Sequence, residues 1–222
     1  MRYKRVLLKA SGELVWQEPK RIAEEIKELI EEGIRCAIVT GGGNIIRGVS
    51  AQLLPRETAD QIGMIATSIN VILLECFLRE VGLKSSMYSP IPIGGIIKPY
   101  SPQEALSDLE EGKVVLLAGG TGNPYFSTDT AAAIRGLELQ CEVLLKGTKV
   151  DGVYEADPKA FPQAKRFERL SYEEFLKGHY KVMDETAVFL CKEFHLPIIV
   201  FNLSEPGGLK KALTQGVGTV IS

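Results

Sequence analysis

Residues 36–48 read Cys-Ala-Ile-Val-Thr-Gly-Gly-Gly-Asn-Ile-Ile-Arg-Gly. The run begins as an unbroken apolar stretch and turns at Thr40 into three glycines. A short apolar run without alternation predicts a strand covered on both faces, as in a parallel sheet. Glycines let backbone N–H groups approach an anion closely. A helix opening just beyond them would add the positive end of its dipole. Arg47 adds a rigid fork of donors that matches phosphate oxygens.

The pattern repeats along the chain. Strands are predicted at 6–10, 36–40, 84–89, 114–118, 143–146, 197–201 and 217–221, most of them continuous apolar runs. Helix-period segments alternate with them at 20–32, 57–81, 102–110, 128–139, 171–177, 184–194 and 206–213. In the first of these, Ile22, Ile26, Leu29 and Ile30 share a stripe and Gly33 closes the helix. The segment 57–81 is apolar nearly all round, which places it in the core or in an oligomer interface. Residues 150–154 and 167–170 flank a proline-containing loop and could pair as a local hairpin. Strand–helix alternation implies an α/β fold, a three-layer α/β/α sandwich with a central, mainly parallel sheet. Residues 1–222 read as one domain, without repeat or linker.

Four predicted strands end in Gly-rich polar loops: Lys9-Ala10-Ser11-Gly12, Gly41 to Gly48, Gly119 to Pro124, and Gly147 to Gly152. Ligands of open α/β sheets bind beyond the carboxyl ends of the strands. Four such loops on one edge favour a polyphosphate site. Neither GxxxxGK[ST] nor a GxGxxG after a strand is present, so P-loop and dinucleotide schemes are not supported.

Composition narrows the rest. The chain has 222 residues, 45% hydrophobic and 24% charged, with a formal net charge of −2. That balance suggests no nucleic-acid surface. The four cysteines form no CxxC pair, and each lies in an apolar stretch, so all four are expected as buried, reduced thiols. With only His179 and His195, a three-histidine metal site is excluded. The apolar start, Val6 to Leu8, is too short for a signal peptide. No stretch is expected to approach the ~20 apolar residues of a membrane span. Cytoplasmic location is expected.

Six blocks, LLKASGE (7–13), GGGNIIRG (41–48), ADQIGM (59–64), GTGNPYFSTD (120–129), KGTKVDGVYEADP (146–158) and KVMD (181–184), resemble bacterial and archaeal-type UMP kinases of the amino-acid kinase family. The likeness runs in order from residue 4 to residue 222. The GTGNPYFSTD and KVDGVYEADP blocks are specific, whereas the GGG loop is shared by the wider family.

The resemblance implies transfer of the ATP γ-phosphoryl group to UMP in pyrimidine nucleotide biosynthesis. Lys9, Arg47, Asp129 and Asp184 match its catalytic group. Lys9 would contact the moving phosphate, Asp129 would organise that lysine, and Asp184 would hold the lysine or lie near the metal. ATP would meet Lys9, Ala10, Ser11, Gly12, Gly43, Arg47, Thr148, Tyr154 and Asp157. UMP would meet Gly42, Asp60, Thr121, Gly122, Asn123, Pro124, Tyr125, Phe126, Ser127 and Thr128. Asp60 would accept the ribose hydroxyls. Mg2+ is implied with ATP, and no metal ligand is singled out. The resemblance also implies a homohexamer, a trimer of dimers, with no nucleic-acid or membrane partner. One departure stands out. Family members carry a Gly-rich stretch after SGE that takes part in GTP regulation, and the shorter Glu13 to Pro19 replaces it here.

Other readings remain open on sequence alone. Kinases of glutamate, carbamate or an isopentenyl-type phosphate share GGG and the lysine but not GTGNPYFSTD. A molybdate or tungstate storage protein on the same fold is a non-catalytic rival, and a Rossmann oxidoreductase is a distant third.

Overall fold

A computed structural model describes residues 3–46, 53–158 and 160–222. One nine-stranded sheet runs through it. In chain order the elements are β1 (Arg5–Ala10), α1 (Gly12–Gln17), α2 (Pro19–Glu31), β2 (Arg35–Thr40), α3 (Arg56–Glu80), β3 (Ser85–Ser89), β4 (Lys98–Pro99), α4 (Pro102–Glu110) and β5 (Val114–Leu117). There follow α5 (Thr128–Glu138), β6 (Val143–Thr148), β7 (Arg169–Leu170), α6 (Tyr172–Gly178), α7 (Glu185–Glu193), β8 (Ile198–Asn202), α8 (Gly208–Thr214) and β9 (Thr219–Ile221). The strand order is β4-β3-β5-β2-β1-β6-β8-β9-β7. Neighbours run parallel except β8 against β9.

The alternation along β1 builds both outer layers. Val6 and Leu8 point into one core with Ile22, Ile26 and Leu29 of α2, Val71, Leu74 and Leu78 of α3, and Leu209 of α8. Leu7 points into the other, with Leu109 of α4, Ala132 and Ala133 of α5, Phe175 of α6 and Val188 of α7. Helices on both faces explain why the strands read as continuous apolar runs. Each fully buried leucine or isoleucine contributes about 1.5–3 kcal/mol.

Local chemistry sets the helix ends. Pro19 opens α2, where its missing N–H costs no hydrogen bond. Gly33 follows that helix at φ +81°, which a side chain would disfavour. Ser127 caps α5 by accepting from the N–H groups of Asp129 and Thr130. Ser171 and Glu174 form a capping box at α6.

Several expectations change. Residues 12–17 form a helix, with Leu14 and Val15 buried, where the sequence suggested only a shortened loop. Cys36, Cys141 and Cys191 are buried, but Cys76 on α3 is exposed. Residues 153–155 do pair antiparallel with 165–167, Phe167 N–H donating to the Val153 carbonyl at 2.9 Å. Arg169–Leu170 then leaves that ribbon to pair in parallel with β9. By length and composition α3 could cross a membrane, its most apolar window averaging a hydropathy of 1.7. Here it is a core helix of the sandwich, with Asn70 and Thr67 buried among its apolar contacts.

Candidate active site

The carboxyl ends of β1, β2, β5 and β6 lie side by side, and the Gly-rich loops leave from them. Two cavities open there. The smaller, about 180 Å³, is lined by Lys9, Ser11, Gly12, Glu13, the three glycines 41–43, Asn44 and Thr128. The larger, about 400 Å³, is lined among others by Gly42, Gly43, Arg56, Asp60, Gly63, Gly120, Phe126 and Thr128. Gly42, Gly43 and Thr128 belong to both, so the cavities adjoin.

Helix α3 fixes the glycine loops from below. Asn70 is fully buried and donates to the Gly41 carbonyl at 2.6 Å. It also exchanges hydrogen bonds with the Asn44 amide at 2.8 and 2.9 Å. One turn earlier, Thr67 Oγ1 accepts from Gly119 N–H at 2.7 Å. Two glycines are there because nothing larger fits. A Cβ on Gly12 would come within 2.2 Å of the Gly41 carbonyl oxygen, and one on Gly42 within 2.5 Å of the Gly63 carbonyl oxygen. Residues 43–46 form turns, and the segment just after the GGGNIIRG loop, where a helix was expected to open, lies outside the described residues. The helix N-terminus facing the junction is that of α5, which brings in Thr128 and Asp129.

The charges are concentrated behind the smaller cavity. Lys9 and Lys146 are register partners on adjacent parallel strands, so their side chains leave the same face of the sheet. Asp129 meets both, with Oδ1 2.9 Å from Lys9 Nζ and 2.5 Å from Lys146 Nζ. Lys146 also reaches Oδ2 at 2.6 Å. Burial alone would raise the Asp129 pKa, but the two ammonium groups hold it well below the usual carboxylate range. Burial pushes Lys146 down to about 8, with repulsion from Lys9 acting in the same direction.

Asp184 stands one step back. Its Oδ2 accepts from Ser127 at 2.7 Å and from Thr130 at 2.5 Å, its Oδ1 caps α7 at Thr186 N–H, and its own N–H donates to Asp129 at 3.3 Å. Among the described residues it pairs with no lysine. It therefore tethers the start of α5 to that of α7, and of its two expected roles, holding the lysine or lying near the metal, the first is not seen among the described residues.

Asp60 lines the larger cavity. Its Oδ2 accepts from Arg56 Nε at 2.7 Å and from Tyr125 N–H at 2.8 Å. An ionised carboxylate has about four acceptor positions, so capacity remains for a ligand hydroxyl. Tyr125 sits in the left-handed region at φ 72°, where the Asp60 bond helps to pin it, and its ring lies beneath the Arg56 guanidinium at 5.8 Å.

The other expected residues divide. Lys9, Ser11, Gly12, Gly42, Gly43, Asp60, Phe126 and Thr128 line the adjoining cavities. Ala10 ends β1 beneath them. Thr121, Gly122, Asn123 and Pro124 lead into the larger cavity without lining it, and Thr121 Oγ1 accepts from Asn123 N–H at 3.1 Å. Ser127 serves as a cap. Thr148 ends β6, Tyr154 and Asp157 lie beyond it, and none of the three lines either cavity. Thr148 closes a turn with Val150, and the Tyr154 hydroxyl donates to Asp151 at 2.7 Å. Their loop still touches the junction, because Lys149 pairs at 2.7 Å with Glu13, which lines the smaller cavity. Arg47 lies outside the described residues. Arg56, Asn70 and Lys146 were not anticipated, although a lone asparagine in an apolar helix was a readable signal.

Comparison with known proteins finds relatives that match almost the whole chain. A model of the amino acid kinase family matches residues 4–202. The structure of UMP kinase from Bacillus anthracis is 34% identical, with TM-score 0.95, covering 100% of this chain and 97% of that one. UMP kinase from Ureaplasma parvum is also 34% identical, with TM-score 0.93 and 100% of each chain covered. Uridylate kinase from Archaeoglobus fulgidus is 25% identical, with TM-score 0.72, covering 98% and 99%.

Proposed function

Because the chain belongs to the amino acid kinase family, we propose that it moves the γ-phosphoryl group of ATP onto UMP, giving UDP and ADP in pyrimidine nucleotide biosynthesis. The observation that carries this is the pair of adjoining cavities sharing Gly42, Gly43 and Thr128, with Lys9 in one and Asp60 in the other. UMP occupies the larger cavity, with its ribose at Asp60 and its phosphate toward Thr128. The ATP phosphates enter the smaller one, and its nucleoside extends toward Thr148, Tyr154 and Asp157.

The chemistry asks little covalent work of the protein. An oxygen of the UMP phosphate attacks the γ-phosphorus, and the bond to the β–γ bridging oxygen breaks. ADP leaves with that electron pair. A nucleoside monophosphate is already largely dianionic at pH 7, so no general base is needed, and none of the junction residues has to serve as one. The protein positions two phosphate chains in line and stabilises charge on the moving group. Lys9 supplies positive charge, and Ser11, the glycines and the α5 N-terminus supply donors.

Mg2+ accompanies ATP and offsets phosphate charge. The carboxylates around the junction are committed, Glu13 to Lys149, Asp129 to two lysines and Asp184 to two hydroxyls and a cap. Phosphate oxygens and water would therefore be its main ligands.

The deciding experiment measures ADP release from magnesium ATP against UMP, CMP, dUMP and glutamate. UMP should react fastest. Turnover with glutamate and none with UMP would refute the assignment. Within that panel, Asp60→Asn should narrow the preference for UMP over dUMP, since a site built for a hydroxyl rejects a ligand lacking it. A native UMP/dUMP ratio in the variant would remove Asp60 from ribose recognition.

We extend the proposal to a cytoplasmic homohexamer, a trimer of dimers. Ile62, Ile65, Ile69 and Ile72 form an exposed stripe on α3, Ile65 being 56% exposed. Ile91, Pro92 and Ile93 continue it into an apolar groove, and such a patch marks a contact surface. Cys76 extends the same stripe. Ile69→Glu should release monomers by light scattering and make Cys76 react rapidly with a thiol reagent. A native protein that is already monomeric would contradict the contact.

A further inference from the structure

Two lysines share one carboxylate at the junction, yet only Lys9 lines the cavity. Lys146 reaches both Asp129 oxygens from the β6 side, its side chain only 9% exposed. A buried ammonium is costly to maintain, and hydrophobic residues fill the equivalent place elsewhere in the strand. Formal charge gives the reason. Lys9, Lys146 and Asp129 together carry +1, whereas Lys9 and Asp129 alone would carry zero.

We propose that Lys146 is a positioning residue that neutralises and orients Asp129, so that the charge of Lys9 stays free for the transferred phosphoryl group. This rests on the phosphoryl-transfer reading above. Without Lys146, Asp129 would close on Lys9 as a neutral pair, and its negative field would cancel the lysine's at the phosphoryl oxygens. The effect falls on the transition state, where negative charge on those oxygens must be met by preorganised positive charge. Asp184 completes the orientation, since its backbone N–H holds Asp129 Oδ2 from α7.

The arrangement carries its own pH signature. The charged groups facing Lys146 are Lys9 from β1 and Asp129 from α5, while β8 on its other flank presents Val200. Its ammonium is destabilised by burial, so it loses its proton at a lower pH than an ordinary lysine. Once deprotonated, it leaves Asp129 to Lys9 alone, and kcat should fall.

The test compares the native protein with Lys146→Met and Lys146→Arg, measuring kcat and both KM values between pH 7 and pH 10. Lys146→Met should lower kcat by roughly 10- to 100-fold, less than the ~100- to 1000-fold scale for removing a donor that itself meets the developing charge, with little change in either KM. Lys146→Arg should recover much of that loss. The native kcat should decline above about pH 8, and the decline should be absent in Lys146→Arg, whose guanidinium stays charged. A native kcat in Lys146→Met, a native profile flat to pH 10, or the same alkaline decline in Lys146→Arg would each overturn the proposal. If Lys146→Met does not fold, the native and arginine profiles decide alone. A native protein inactive toward UMP would instead defeat the parent reading, and the acceptor panel detects that separately.

Discussion

Lys9→Ala is expected to lower kcat by roughly two decades or more, the scale for removing one donor aimed at developing charge. The ammonium lines the smaller cavity, and a Cβ placed on Gly41 would lie 3.8 Å from it and 3.7 Å from Oγ1 of Thr128, which lines both cavities. Lys9 is also fixed in place. Its strand lies between β2 and β6, and Asp129 holds its tip at 2.9 Å. The loss should fall on kcat more than on KM for UMP, because UMP is recognised mainly in the other cavity. Steady-state kinetics with both substrates checks this, and an unchanged kcat would remove Lys9 from the mechanism.

Asp129→Asn should affect both stability and turnover. The carboxylate is the shared counter-ion of two largely buried lysines. Removing one partner of a buried ion pair leaves uncompensated charge and typically costs about 3–5 kcal/mol. For a chain of this size that corresponds to a Tm lower by roughly 10 °C. The sign of the pH dependence follows from the depressed carboxylate pKa. The stability Asp129 contributes is complete above the ordinary aspartate value near 3.9. It is lost as pH falls below that toward the depressed folded value. Acid melts of the variant should therefore show a shallower decline below about pH 4. Thermal melts within a degree or so of native at neutral pH would show that the three charges are not coupled as drawn.

Much of this site was legible before any coordinates. The strands were readable because both faces are covered, which removes alternation and leaves plain apolar runs. The glycine loops were readable because close approach leaves no alternative residue at Gly12 and Gly42. What escaped depends on tertiary contact. Helix α1 spans six residues, too few for a period to declare itself, and it exists because Leu14 and Val15 find a core. Strands β4 and β7 have two residues each and are defined only by their neighbours. Lys146 read as the polar end of a strand, since nothing local reveals that β1 places Lys9 beside it. Asp184 was noticed, but its partners proved to be hydroxyls. The stripe of isoleucines on α3 was visible as excess apolarity, and the fold shows which part of it stays uncovered.

The central claim, that two phosphate chains meet end to end at Lys9, is tested most directly by a bisubstrate ligand. A molecule joining uridine and adenosine through a chain of phosphates should compete with both ATP and UMP, bind more tightly than either, and lose that advantage in Lys9→Ala. Competition with only one of the two substrates, or affinity no better than that of ATP alone, would place the nucleotides in separate sites and contradict the junction.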